Sequence, residues 1–340
     1  MRELKIVAVV VFFSLVTYYL VEPYAHHQMH KKVDIKGHEI HNEGHGFNYD
    51  GTADLEECTA EIDRCEAMGI STDKAKAREV AKKAFWSDVA NISKLKGDAT
   101  AGEAGFGMCM GCHNGTNMNM GGVIAPKLDH AGRIYDKNYL IALIKDPAMA
   151  SNVDHKYKDT ANHPMGSIKM MITDDQSIAD VVAYLQKNKA GEVTAKEAFT
   201  EACVRCHAMR YDKTTQLGDT PKFKYEKDAL AHKIKVIEEQ DRVKAYMGKL
   251  PPDLSMMIKA RSSHFMETFV ENPQSQLAGT SMPRVGLSAE GYEKVKAHMT
   301  AIGDPSKAKR EKVGPWVLGF FVIFTILAYL WKKEKWRGLH

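Results

Sequence analysis

Twice in this chain two cysteines stand three residues apart with a histidine directly after the second: Cys109-Met110-Gly111-Cys112-His113 and Cys203-Val204-Arg205-Cys206-His207. No other feature restricts the fold as much. Thiols at i and i+3 lie on one side of a helical turn, so both can add to one flat ring system, and the adjacent imidazole can reach a metal at its centre. C-x-x-C-H is the attachment pattern of a c-type haem, with the histidine as proximal ligand of the iron. Composition alone predicts about 0.005 such matches in a chain with six cysteines and fifteen histidines, so two are not accidental. Zinc binding through paired C-x-x-C motifs does not account for a histidine after each pair.

Both ends of the chain are apolar. Ile6 to Val21 is sixteen residues without a charge, preceded by Arg2 and Lys5. The residues before Ala25 are Glu22, Pro23 and Tyr24, which do not make a small-residue cleavage site, so an uncleaved signal anchor is expected. Val313 to Trp331 is nineteen uncharged residues with Trp316 and Trp331 near its edges, and Lys332, Lys333, Lys335 and Arg337 follow. Positive charge outside both spans predicts cytoplasmic termini, with residues 22–312 on the far side. In a bacterium that is the plasma membrane with a periplasmic body, where c-type haem is attached. A mean hydropathy of -0.35 then describes a polar middle. The remaining totals are exclusions. An apolar content of 44% is too high for a disordered chain, and two spans exclude a multi-span transporter. A net charge of +4 gives no reason to expect nucleic acid as a partner.

The middle contains a repeat. Pro126-Lys127-Leu128 and Pro252-Asp253-Leu254 follow the two motifs, and YLIALIKDP from Tyr139 parallels FMETFVENP from Phe265. Pro126 to Pro147 and Pro252 to Pro273 both span 21 residues. Each copy ends in a helical pattern, from Ile172 and from Leu287, with Thr173 and Ser288 as expected N-caps. Ile178, Val181, Val182 and Leu185 keep the helical period.

This order of elements resembles small class I c-type cytochromes. It implies an all-α chain with two tandem domains of that class between transmembrane helices. The expected division is 1–22 anchor, 23–87 His-rich and acidic extension, 88–190 first haem domain, 191–305 second haem domain, and 306–340 C-terminal anchor with a basic tail. The resemblance places a sixth, thioether ligand in the loop before each last helix. Met282, in Met282-Pro283, is expected in the second unit. Met165 is expected in the first, with His163 as a rival, while Met170 and Met171 are assigned to apolar packing. It also implies that the carbonyls of Pro126 and Pro252 accept from His113 and His207. Helix breaking is the plainer role for both prolines.

The second unit and tail resemble a narrower family. LPPDLSMMIKAR, ending at Arg261, is similar to the P-P-D-L-S…A-R stretch of cytochrome c1. The 45 residues from His207 to Pro252, against 13 from His113 to Pro126, match an insertion in that family. YLWKKEKW after Lys307–Lys312 is similar to its anchor. The resemblance covers 191–340 and implies the haem subunit of a cytochrome bc1 complex, here in a dihaem bacterial form. It implies two covalently bound c-type haems, cytochrome b and a Rieske iron–sulfur protein as partners, a dimeric complex, and a soluble cytochrome c or oxidase as acceptor. Electrons would enter at Cys203/Cys206 and leave by Cys109/Cys112. Arg261 would lie near a haem propionate, with a plain surface arginine as the alternative. The insertion from Arg210 to Lys249 would pack near the second haem or a neighbouring subunit. Two other readings stay open: a dihaem subunit of a terminal oxidase, and a dihaem peroxidase, which needs an open iron site.

Cys58 and Cys65 are left after the motifs, and in an oxidising compartment they are expected to pair. A straight helix would hold them about 10.5 Å apart, beyond disulfide reach, so pairing requires a bend. His26, His27, His30, His38, His41 and His45 follow the first span without fixed ligand spacing, as a solvated or docked linker would. The acidic run Asp54, Glu56, Glu57, Glu61, Asp63 and Glu66 is expected to be a solvated face, with steering of a basic acceptor as the alternative.

Overall fold

A computed structural model of the chain describes residues 2–21, 24, 72–116, 122–153, 164–188, 192–277 and 280–338. The six linker histidines, the acidic run, Cys58, Cys65 and His163 lie outside the described residues.

Helix α1 (Arg2–Val16) continues into a π turn, Thr17–Val21. Its apolar side chains are exposed, and it is long and apolar enough to cross a membrane. At the other end α15, Lys307–Lys335, meets the same test. The intervening helices follow in chain order. Helix α2 (Thr72–Lys94) buries Phe85, Trp86, Val89 and Ile92, whose three- and four-residue spacing forms one apolar stripe. It runs unbroken through residue 88, so the expected boundary at 87/88 falls inside a helix.

Helix α3 (Ala99–Phe106) is capped by Asp98, which accepts from the Thr100 amide at 2.8 Å. Then come α4 (Ala131–Ile134), α5 (Lys137–Lys145) and α6 (Pro147–Ser151). Asp136 caps α5, Asp146 caps α6, and Pro147 sits in the first turn, where its missing N–H costs nothing. Helices α7 (Ile168–Met171) and α8 (Asp175–Asn188) close the first unit. The expected cap Thr173 is corrected to Asp174. Its Oδ2 accepts from the Ser177 amide at 2.9 Å, and the helix begins at Asp175, one residue later than a Thr173 cap would start it.

The second unit repeats this order. Thr194 and Glu197 form a capping box on α9 (Ala195–Phe199), which runs into a π turn, Thr200–Val204. The insertion contains a small antiparallel pair, β1 (Thr214–Thr215) and β2 (Gly218–Asp219), and helix α10 (Glu226–Met247). Strands were not expected. Gly218 allows the tight turn at φ +93°, and Thr214 Oγ1 closes it onto Asp219 at 3.1 Å. Helices α11 (Met257–Ala260), α12 (Ser263–Glu271), α13 (Pro273–Gln276) and α14 (Ala289–Gly303) follow. Ser288 caps α14 as expected, accepting from Gly291 at 3.0 Å.

In both units the helix leading into the cysteine motif packs across the last helix: α3 on α8, and α9 on α14. Gly102 allows the first crossing, since a Cβ there would stand 2.0 Å from the Asp180 carbonyl oxygen. The apolar core is continuous across the units, from Val182 and Ile141 through Ile134 to Leu287, Phe199 and Val295. Each such side chain contributes roughly 1.5–3 kcal/mol by leaving water. Backbone bonds stitch the seam, with the Ser288 amide donating to Ile134 at 2.8 Å and the Arg284 amide to Ser151 at 3.0 Å.

Candidate functional site

The two cysteine motifs fold in the same way. In the first, Cys109–Gly111 forms a 3₁₀ turn. The amides of Cys112 and His113 both donate to the Cys109 carbonyl, at 3.2 and 2.9 Å. In the second, the amides of Cys206 and His207 donate to the Cys203 carbonyl, also at 3.2 and 2.9 Å. This turn puts both sulfurs on one side and starts the histidine in a fixed direction. The four thiols form no disulfide with one another.

Each histidine is held by its ring. His113 Nδ1 lies 2.6 Å from the Pro126 carbonyl oxygen, and His207 Nδ1 lies 2.8 Å from that of Pro252. A carbonyl can only accept, so Nδ1 carries the proton and Nε2 keeps its lone pair for a metal. The Pro252 loop is itself clamped. Asp253 accepts from the Arg210 and Ser255 amides, each at 3.0 Å, and the Leu254 amide donates to Ala208 at 2.9 Å. Burial lowers the His113 pKa, the Pro126 bond opposes this, and the charge of Arg205 adds to the lowering. Burial also lowers that of His207, opposed by the Pro252 bond and by Asp253. Both rings therefore favour the neutral, ligating form. Burial raises the Cys109 thiol and pushes that of Cys203 up to about 12.

A largely apolar cavity of about 410 Å³ lies against the first motif. That volume is within the range of roughly 300–1,000 Å³ of small-molecule and cofactor sites. Cys109, Cys112, His113 and Pro126 line it together with Met165. Leu140, Leu143, Ile144 and Ile168 supply apolar wall. Two thiols, an imidazole with a free Nε2, a thioether and an apolar wall are the donors and surroundings that a c-type haem takes.

The same cavity has walls that the sequence pattern assigns elsewhere. Arg205 and Cys206, from the second motif, line it. So do Pro283 and Arg284, and Tyr246 and Met247 at the end of α10. The insertion thus reaches the first site rather than only the second. Nothing in the repeat could have shown this, because it depends on how the units pack.

Ser281 and Pro283 line this cavity while Met282 between them does not. Residues 280–286 lie outside any helix, and Met282 is half-buried there. The Met282 carbonyl accepts from Gln274 at 2.6 Å. Arg261 ends α11 exposed, with its guanidinium 5.2 Å from the Phe265 ring centroid. Met170 and Met171, expected to be packing residues, are 67% and 58% exposed. The four-residue α7 turns Ile168 inward and its last two side chains toward solvent, with Met171 still reaching the cavity rim.

Contacts between the units surround the cavity. His130 Nδ1 and Glu201 Oε1 are 2.7 Å apart. Tyr139 donates its hydroxyl to the Arg284 carbonyl at 2.7 Å. Gly286, at φ +73°, leaves room for the Tyr139 ring, which a Cβ would approach to 1.9 Å.

Residues 99–189 match the family described as cytochrome c. That region is a cytochrome c domain, which implies covalently bound c-type haem. The chain is also 24% identical over 204 residues to cytochrome c1 of Allochromatium vinosum, covering 42% of this chain and 82% of that protein. It is 24% identical over 195 residues to a protein of Nitrosomonas europaea named ammonia monooxygenase gamma subunit, covering 42% of this chain and 81% of that one. No solved structure matches the chain significantly.

Proposed function

We propose that the chain is a dihaem, c1-type electron-transfer subunit of a quinol–cytochrome c reductase. It accepts electrons from a Rieske iron–sulfur protein beside cytochrome b and passes them to a soluble cytochrome c or an oxidase. The observation that carries this reading is the recurrence of one attachment turn and one histidine–proline bond in a chain with an apolar helix at each end. The similarity to a cytochrome c1 supports the choice of complex. Both anchors would sit in a bacterial plasma membrane, with the body periplasmic and the termini cytoplasmic.

Haem bound at these sites would supply one-electron exchange. The residues have distinct tasks. Cys109 and Cys112, and Cys203 and Cys206, fix the rings covalently. His113 and His207 offer Nε2, and their bonds to Pro126 and Pro252 set ring orientation and increase ligand basicity. Met165 and Met282 offer thioether donors, which favour a higher potential than a second imidazole. The apolar wall of the first cavity excludes water. Arg261 is proposed to face a propionate of the second haem, and Cys58 and Cys65 to pair.

Purification in mild detergent, with haem staining and identification of the co-purifying chains, tests the reading. Cytochrome b and a Rieske protein are expected. A copper–haem oxidase subunit in their place would favour the oxidase reading, and rapid cyanide binding to one haem would favour a peroxidase.

A further inference from the structure

The first cavity is not built by the first unit alone. Arg205 stands between the two cysteines of the second motif, yet it lines the cavity that contains Cys109, Cys112, His113 and Met165. Its position has a local reason. Arg205 and its neighbour Cys206 both line the cavity while Cys203 does not, so the later half of the second turn faces it. The unit seam then presents that side to the first cavity. His130–Glu201, Tyr139–Arg284 and the Ser288–Ile134 backbone bond hold the seam in place.

We propose that Arg205 is a tuning residue of the other unit's site: its guanidinium raises the reduction potential of the haem held by Cys109, Cys112, His113 and Met165. The inference rests on the reading of both motifs as haem sites. A guanidinium stays charged at every working pH. Beside a largely apolar cavity that charge is screened less than it would be in water. Reduction removes one positive charge from an iron porphyrin, so a fixed cation nearby favours the reduced form. The residue thereby biases an electron towards the first site and away from the motif that carries the arginine. Arg284 is a second cation in the same wall, buried to 4% exposure and donating Nε to the Glu271 carbonyl at 3.1 Å. Arg284 is almost fully buried and Arg205 half-buried, so Arg205 is the residue to vary.

The test is a spectroelectrochemical titration of the full-length holoprotein in detergent. The first-site wave is identified as the one lowered by Met165→His. Arg205→Gln is expected to lower the first-site midpoint, with a smaller change at the second site, and Arg205→Lys to retain most of it. Arg210→Gln removes the same charge from an 84%-exposed side chain of the second unit, and is expected to leave the first-site midpoint in place. The proposal is overturned if Arg205→Gln leaves the first-site midpoint unchanged, moves the second site more, or does no more than Arg210→Gln. Wild-type protein without haem on Cys109 and Cys112 would overturn the reading of the motifs and this inference together. An intact pair of haems with an unmoved midpoint would overturn the inference alone.

Discussion

The ring of His113 is tied to the Pro126 carbonyl at 2.6 Å, and the ring of His207, 94 residues later, is tied to the Pro252 carbonyl at 2.8 Å. The intervening chain is 13 residues in one case and 45 in the other. The longer one carries a hairpin and a 22-residue helix. The same bond is thus made across loops of very different length. In the second unit Asp253 is the clamp. Asp253→Ala leaves the amides of Arg210 and Ser255 without their acceptor and should cost about 1–3 kcal/mol. Denaturant unfolding should show that loss, together with a changed second-site haem spectrum. A first-site spectrum that changes instead would contradict the assignment.

Met165 and Met282 are proposed as thioether ligands of different sites. Met165→His and Met282→His should each lower one midpoint potential and leave the other nearly in place, because a second imidazole stabilises the oxidised iron. A single variant that moved both waves equally would show that the two loops do not serve separate sites.

Glycines fix two close approaches. Gly102→Ala places a methyl group against the Asp180 carbonyl and should force α3 from α8, and Gly286→Ala drives one into the Tyr139 ring. Each should destabilise the protein by roughly 1–3 kcal/mol, as overpacking does. Gly286 also holds a left-handed backbone at φ +73°, so its cost should be the larger. Equal stability to wild type in chemical denaturation would refute the crowding at either position.

Both cysteine turns, both proline carbonyls and the Ser288 cap were legible in the sequence, because each depends on a local pattern of a few residues. The repeat likewise predicted one helix before Pro147 and one before Pro273, now α5 and α12, whereas the short α6 and α13 that begin at those prolines were not expected. What could not be read was relational. Arg205 is an ordinary variable position inside its motif, and Met247 ends a charged helix. Only the packing of one unit on the other brings both to the cavity of His113. The cap at Asp174 was misassigned because adjacent Thr173 satisfies the same short rule. Met170 and Met171 were misassigned because a four-residue helix is too short to declare its inner face by period.

The seam should respond to pH through Glu201. Burial raises its carboxyl above the ordinary 4.5, the bond and charge of His130 oppose this, and Asp129 and Glu197 add to it. A carboxyl whose folded pKa lies above its unfolded one stabilises the fold fully below 4.5, and that contribution fades as pH rises through the folded pKa. Glu201→Gln is neutral throughout and should remove the fade. Its melting temperature should gain on that of wild type between pH 4.5 and 7. A difference between the two proteins that stays flat over that interval would refute the role of this carboxyl.

The central claim is that both C-x-x-C-H turns hold haem. Intact mass spectrometry of the protein matured in a c-type-haem-competent bacterium tests it most directly. The account predicts two covalent haem additions in the wild type, and one in each of Cys109→Ala/Cys112→Ala and Cys203→Ala/Cys206→Ala. A wild-type mass with one haem or none would contradict it.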